Sequence, residues 1–319
     1  ARILATTFTK KAAAELKGRI QAQLLSATEG QAAAHRNADR LELAAIGTVH
    51  SVAHQLLSRY AIEMGLSPRL EVITEVSSDR ALSDLLGNIP LSAWQPFADC
   101  AERLGITDLH RRILNLLAAK RGNVISDDDF TAQMTVCADR VCELLAPSGV
   151  SGIETPISQL HDLAEQALTN IDALVNDTQK NTNTARQKLR QLKSKQIPLW
   201  GSYLMASRIT AGKKSGADGM LDALRNHASQ VHQNPRLQAD IKEFSSLLAN
   251  ETIRLESQYT DYKTERGLVD FTDHETLLLQ LLQYEGLAAR LAEDFDLVLV
   301  DEFQDTNPLQ LAIFQQLRR

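Results

Sequence analysis

Phe295-Asp-Leu-Val-Leu-Val-Asp301-Glu302-Phe303-Gln304-Asp305-Thr306 sets two adjacent carboxylates directly after a short, continuous apolar run. A run of this kind, centred on Leu297 to Val300, reads as a strand covered on both faces, as in parallel sheets. Ile3 to Phe8 and Leu43 to Thr48 have the same character, and Leu70 to Thr74 reads as a fourth strand. Helical patterns follow the first three. Thr9 is a cap for a helix through Ala12, Ala13, Leu16 and Ile20 to about Leu25. Thr48 is a cap for another through Val52, Leu56 and Leu57 to about Met64. After Asp301 a turn leads to Pro308 at a helix start. Strand-then-helix repetition predicts an α/β fold with a parallel sheet.

The acids at the end of the third strand suggest chemistry. In open α/β sheets, ligands bind outside the carboxyl ends of the strands. Two carboxylates there call for a positive neighbour, and a hydrated Mg²⁺ on a nucleotide is the natural one. Asp301 would hold the ion, and Glu302 would face the γ-phosphate and orient or deprotonate the attacking water. An isolated Asp-Glu is often no more than a strand ending in a polar turn. The string Asp-Glu-Phe-Gln-Asp-Thr after four apolar residues is far more specific.

The middle reads differently. From about Glu75 to Gly267 the periodicity is helical, with breaks at Gly87-Asn88, Gly122-Asn123, Pro147 to Gly152, Pro198, Gly212 to Gly219 and Asn234-Pro235. One long helix is predicted over Leu237 to Glu265. The expected organisation is an α/β domain in two parts, 1–75 and 265–319, interrupted by a helical insertion over 76–264.

Composition agrees with a packed soluble core: 319 residues, 44% hydrophobic and 23% charged. No apolar run reaches the ~18 residues of a membrane span. Cys100, Cys137 and Cys142 form no CxxC pair, which argues against a disulfide scaffold or zinc ribbon. That cysteine usage fits a reducing cytosol, so a cytoplasmic location is expected. The chain begins on a strand at Ala1 and stops in or just after a helix, so it reads as a piece of a longer protein. Net charge is −6, yet nine Lys or Arg and no acid fall between Lys180 and Lys214. Lys193, Lys195, Lys213 and Lys214, with Trp200 and Tyr203 as stacking groups, form a candidate nucleic-acid surface; a solvated helix face is the plainer reading.

The acid string resembles the Asp-Glu-x-x motif of the UvrD/Rep/RecB group within helicase superfamily 1. Three other stretches match the group in its order. Thr7-Phe-Thr-Lys-Lys-Ala-Ala-Ala-Glu-Leu-Lys-Gly-Arg-Ile20 resembles its first DNA-contact motif, and Ile46-Gly-Thr-Val-His-Ser51 its second. Arg266-Gly-Leu-Val-Asp270-Phe271-Thr-Asp273 resembles the Asp-Phe-x-Asp-Leu element before the catalytic strand. Val49 stands where Phe is usual, and His274 where Leu is usual. The length between His50 and Asp301 is more like the RecB/AddA type than UvrD or Rep.

The resemblance implies a RecA-like P-loop NTPase domain in the two α/β parts and a 3′-to-5′ helicase that couples Mg-ATP hydrolysis to movement on single-stranded DNA in recombinational repair. The implied partners are duplex-end DNA and a second helicase-nuclease subunit. The resemblance assigns DNA contacts to Thr7, Phe8, Thr9, Lys10, Lys11, Thr48, His50 and Ser51, with free helix-terminal amides facing phosphate. Gln304 would sense the γ-phosphate. Asp270, Phe271 and Asp273 read first as an acidic, capped helix start, with a DNA or interdomain role implied only by the resemblance. His50 and His54 share a helix face, but the residue after His50 is Ser51, not the Glu of a metalloprotease motif.

The phosphate-binding loop Gly-x-x-x-x-Gly-Lys-Thr/Ser does not occur in this sequence; Gly212-Lys213-Lys214-Ser215 has Ser207 and Lys214 in the wrong places. The expectation is that the loop lies upstream and a second motor domain downstream, and that these residues alone neither hydrolyse ATP appreciably nor unwind DNA. Two other classes stay open: a non-catalytic helicase-like protein that binds DNA, and a helical interaction module on a degenerate nucleotide fold.

Overall fold

The computed structural model describes residues 2–26, 41, 44–67, 69–145, 154–194 and 198–317. In chain order the first elements are β1 (Ile3–Thr7), α1 (Lys10–Ser26), β2 (Ala45–Thr48), α2 (Val49–Arg59) and β3 (Glu71–Val72). The helices α3 (Glu75–Gly87), α4 (Leu91–Leu104), α5 (Leu109–Gly122), α6 (Asp127–Leu145), α7 (Ile157–Asp172) and α8 (Lys180–Lys193) follow. Then come α9 (Leu199–Ser207), α10 (Asp222–Ser229) and α11 (Pro235–Arg266). The chain continues through β4 (Leu268–Val269), α12 (Phe271–Gln283), α13 (Glu285–Asp294), β5 (Leu297–Val300) and α14 (Pro308–Leu317).

The chain divides into two compact units. Unit 1 comprises Ala1–Asp84, Ala118–Ile125 and Glu256–Arg319; unit 2 comprises Leu85–Leu117 and Ser126–Leu255. Unit 1 is α/β and holds a parallel sheet of order β2-β1-β5. Thr7 pairs with Thr48, and Thr6 with Val300, so all three strands end at the same edge. The expected apolar runs form these strands, although residues 42–43 lie outside the described ones. Leu70 to Thr74 does not join this sheet. Glu71 and Val72 pair instead with Leu268 and Val269 in a separate two-stranded parallel sheet. Gly267, at φ +64, makes the left-handed turn from α11 into β4 that a side chain would strain.

The core of unit 1 follows from helix periodicity. Val52, Ala53, Leu56 and Leu57 form the buried stripe of α2, and Leu278, Leu281 and Leu282 that of α12. They pack with Leu4, Ala45, Leu309, Ile313 and Phe314. The central part of β1 is fully covered, with Leu4 and Ala5 at 1% exposure or less. On β5 the pattern alternates, and Leu297 and Leu299 are open. Among the described residues β5 is a sheet edge, beside a groove of about 570 Å³ lined by Phe295, Leu297, Phe303, Leu311 and Phe314.

Unit 2 is helical. Leu160, Ala164, Leu189, Tyr203, Leu221 and Leu224 belong to its core. A second knot is polar: Asp240 accepts from Arg103 at 2.8 Å and from the Trp200 indole N–H at 2.8 Å. Burial pushes the Asp240 carboxyl up, and Arg103 and Trp200 more than offset this, leaving it below the usual carboxylate range. No helix among the described residues is long and apolar enough to cross a membrane.

Candidate functional site

Three chain segments leave the C-terminal edge of the parallel sheet: Thr7 to Lys11, Thr48 to Ser51, and Asp301 to Gln304. This convergence follows from parallel pairing alone, because strands in register end together.

The acid segment is open to solvent. Asp301 continues the ladder by donating its N–H to the Thr6 carbonyl at 2.9 Å. Its Oδ1 accepts the Glu302 N–H at 3.0 Å. Glu302 adopts φ 54 and ψ 41 and begins a short 3₁₀ turn, Phe303–Asp305. Gln304 donates its side-chain amide to the Glu302 carboxylate. Both acids are exposed and form no ion pair among the described residues.

The first basic segment turns sharply after β1. The Thr7 hydroxyl, only 2% exposed, donates to the Thr9 carbonyl at 3.0 Å. It shapes the turn and is not presented to a ligand, which corrects its expected role as a hydroxyl donor to DNA. Thr9 Oγ1 accepts the Ala12 N–H at 3.1 Å and caps α1. Phe8 is 64% exposed and is no part of the core. Lys10 and Lys11 are exposed on the first turn of α1, which carries no acid.

The second segment has the same build. Thr48 Oγ1 accepts the Ser51 N–H at 3.3 Å and caps α2. Ser51 Oγ returns a hydrogen bond to the Thr48 carbonyl at 2.9 Å. A Cβ on Gly47 would lie 2.2 Å from Ser51 Oγ, so any side chain there displaces that hydroxyl from Thr48. His50 Nε2 lies 3.2 Å from Glu275 Oε1, and its ring meets Phe271 at 4.9 Å.

Asp270 and Asp273 form a reciprocal capping box at the start of α12. They also close a buried charge cluster. Arg121 Nη2 lies 2.8 Å from Asp270 and 2.9 Å from Asp273; Lys263 Nζ lies 3.0 Å from Asp270. Both cations sit over the buried Tyr259 ring. Burial raises the Asp270 carboxyl, and Arg121 and Lys263 outweigh it, holding the pKa at about 2. Phe271 is 42% exposed and faces His50. This start is therefore occupied by structural charge pairs.

The basic stretch of unit 2 is partly neutralised. Arg186 and Arg190 reach Asp172, and Lys193 pairs with Glu165 at 2.7 Å. Trp200 is 8% exposed, with its indole N–H committed to Asp240, and Tyr203 is 1% exposed. Neither ring is available for base stacking, because α9 turns both into the helical core; this corrects their expected role. Lys213 and Lys214 are exposed. Lys195 lies outside the described residues.

Arg121, Lys263, Glu275, Asn307 and Gln310 went unmarked in the sequence. Glu275 carried a signal: it shares the apolar face of α12 with Leu278 and Leu282. A carboxylate on such a face needs partners.

The chain as a whole has counterparts among known proteins. Residues 1–319 match the model of the UvrD/REP helicase N-terminal domain. A curated relative from Natranaerobius thermophilus, named as a subunit of an ATP-dependent helicase/nuclease, is 24% identical over 99% of this chain and 28% of its own length. Proteins of the same name from Alkaliphilus metalliredigens and Geobacillus thermodenitrificans are 24% and 25% identical, each over 100% of this chain and 30% of their own length. The chain thus spans less than a third of these relatives. Since the match to the family runs from the first residue to the last, the chain belongs to the UvrD/REP helicase N-terminal domain family.

Proposed function

We propose that this chain supplies the first, RecA-like motor domain of an ATP-dependent DNA helicase of the RecB/AddA type. In this reading residues 76–264 form a helical insertion, and the intact protein moves 3′ to 5′ on single-stranded DNA while processing duplex ends. The relatives are named as one component of a helicase/nuclease, which supports a second protein working beside it. The observation that carries the reading is the exposed Asp301-Glu302 pair at the same sheet edge as two capped helix starts.

The donor set fits Mg²⁺. Two carboxylates without a cation partner among the described residues, at a sheet's carboxyl edge, suit a hard ion with oxygen ligands. Asp301 would hold the ion and Glu302 would stand beside it. Mg-ATP, when bound, supplies the phosphoryl group and a cation that neutralises its developing charge. Glu302 orients the attacking water and takes its proton. Gln304, already hydrogen-bonded to Glu302, registers a change at that carboxylate. Thr9 and Thr48 hold the first turns of α1 and α2 so that backbone N–H groups and the positive helix ends face DNA phosphates. Lys10 and Lys11 add charge without sequence preference. Phe8 offers a face to a base, and His50 and Ser51 offer polar contacts.

In the full-length protein, Glu302→Gln should abolish ATP hydrolysis while sparing nucleotide binding. Normal hydrolysis by that variant would refute the assigned role.

A further inference from the structure

Glu275 is 4% exposed, and its carboxylate lies where three elements of unit 1 meet. From α2, His50 Nε2 reaches Oε1 at 3.2 Å. From the start of α14, Gln310 Nε2 donates to Oε1 at 2.6 Å, and Asn307 Nδ2 donates to Oε2 at 3.2 Å. Asn307 and Gln310 are also tied to each other. Asn307 Oδ1 accepts the Gln310 N–H at 2.7 Å, and Gln310 Oε1 accepts the Asn307 N–H at 3.4 Å. One buried acid therefore grips a helix start from each side.

The two grips have different meanings. His50 belongs to the turn capped by Thr48, one of the two turns that face DNA in the reading above. Asn307 ends the turn that begins at Glu302, with the 3₁₀ segment Phe303–Asp305 between them. No other described acid joins these two turns. A buried carboxylate keeps its charge here because its partners outweigh the burial that opposes it.

We propose that Glu275 is a positioning residue that couples DNA contact at the His50 turn to the catalytic acids at the Glu302 turn. This rests on the motor reading. A phosphate drawing on His50 changes how strongly that ring holds Glu275. The carboxylate then shifts its share between His50 and the Asn307–Gln310 pair. The start of α14 responds, and with it the short turn carrying Glu302 and Gln304. Glu275 itself touches neither nucleotide nor DNA.

The test uses the full-length protein with three measurements: ATP hydrolysis without DNA, hydrolysis at saturating single-stranded DNA, and DNA affinity. Glu275→Gln keeps the shape and removes the charge. It should lower the stimulation by DNA about tenfold, in the usual range of coupling between sites, with DNA-free hydrolysis unchanged. Gln310→Ala, which loosens the clamp from the other side, should give the same split. Wild-type stimulation in both variants overturns the proposal. So does an equal fall of DNA-free and DNA-stimulated rates, which marks a purely structural acid. Failure of the motor reading looks different: the unaltered protein would then show no DNA-stimulated hydrolysis at all.

Discussion

Replacing His274 by Leu, the residue usual at this position in the resembling motif, should remove a pH-dependent weakness from unit 1. The imidazole is 1% exposed, its Nε2 is 3.1 Å from His54 Nδ1, and its own Nδ1 has no partner. Burial first, then His54 and His50, holds its pKa down from 6.5 to about 4, while Asp273 and Asp270 oppose this and fall short. Between those values the unfolded chain binds a proton that the folded chain does not. Stability therefore rises with pH across the window and is lost as pH falls from about 6.5 toward 4. At about 1.4 kcal/mol for each pH unit the whole window is worth about 3 kcal/mol, of which about 2 kcal/mol is gone at pH 5. Leu is of similar size and has no buried polar atom, and half-buried His54 can turn to water. His274→Leu should thus be near neutral at pH 7 and about 2 kcal/mol more stable than its parent at pH 5. Trp94 and Trp200 both lie in unit 2, so tryptophan fluorescence does not report on this site. Hydrogen exchange of the α12 amides as a function of pH does, and an NMR titration of the ring gives its pKa directly. An unchanged pH slope in the variant, or a His274 ring titrating near 6.5, would refute the reasoning.

Two further outcomes probe the same unit. Arg121→Ala leaves buried Asp270 and partly buried Asp273 with Lys263 alone and should cost about 3 kcal/mol, since breaking a buried pair strands a charge; exchange protection of α12 that is undiminished would show the cluster to be idle. Phe8→Ala should leave stability within about 0.5 kcal/mol, as the ring is exposed. In the full-length protein it should weaken single-stranded DNA binding about tenfold through lost stacking. Unchanged affinity would remove Phe8 from the interface.

Local patterns were readable in advance, and long-range partners were not. The three apolar runs and the Thr9 and Thr48 caps needed only neighbouring residues to declare themselves, and strands and caps form there; the run at Leu297 to Val300, expected to be covered on both faces, is instead an edge strand with Leu297 and Leu299 open among the described residues. Leu70 to Thr74 showed strand character, but its pairing partner, Leu268–Val269, is distant in sequence and too short to signal a sheet. The basic stretch between Lys180 and Lys214 looked uncompensated because its counter-charges, Asp172 and Glu165, sit on α7. Trp200 looked like a surface ring beside a basic loop. It packs into the apolar core of unit 2, and its indole N–H is held by Asp240 on α11, which no sequence window links to it. The Asp270–Asp273 box was legible as a helix start, yet Arg121 arrives from a segment far away in the chain. In each case the missed fact is a contact whose second residue a local pattern does not contain.

The backbone at Glu302 bears on function independently of any family match. Asp108, Val124 and Glu302 are the described non-glycine residues with positive φ, and of these Glu302 is the one at the end of a sheet strand. A left-handed conformation costs a residue with a Cβ on the order of 1 kcal/mol, which glycine would not incur. Hydrogen bonds hold the turn in place, among them Asp301 N–H to Thr6 O at 2.9 Å, Glu302 N–H to Asp301 Oδ1 at 3.0 Å and Asp305 N–H to Glu302 O at 2.9 Å. The side chain so placed is exposed, so burial does not offset the strain. A strained position that gains no burial is explicable if the carboxylate has to stand where it stands. Strain of this kind gathers at sites where placement matters more than stability. That supports a working acid at Glu302 beside Asp301, and it ties the proposed chemistry to the backbone of this chain.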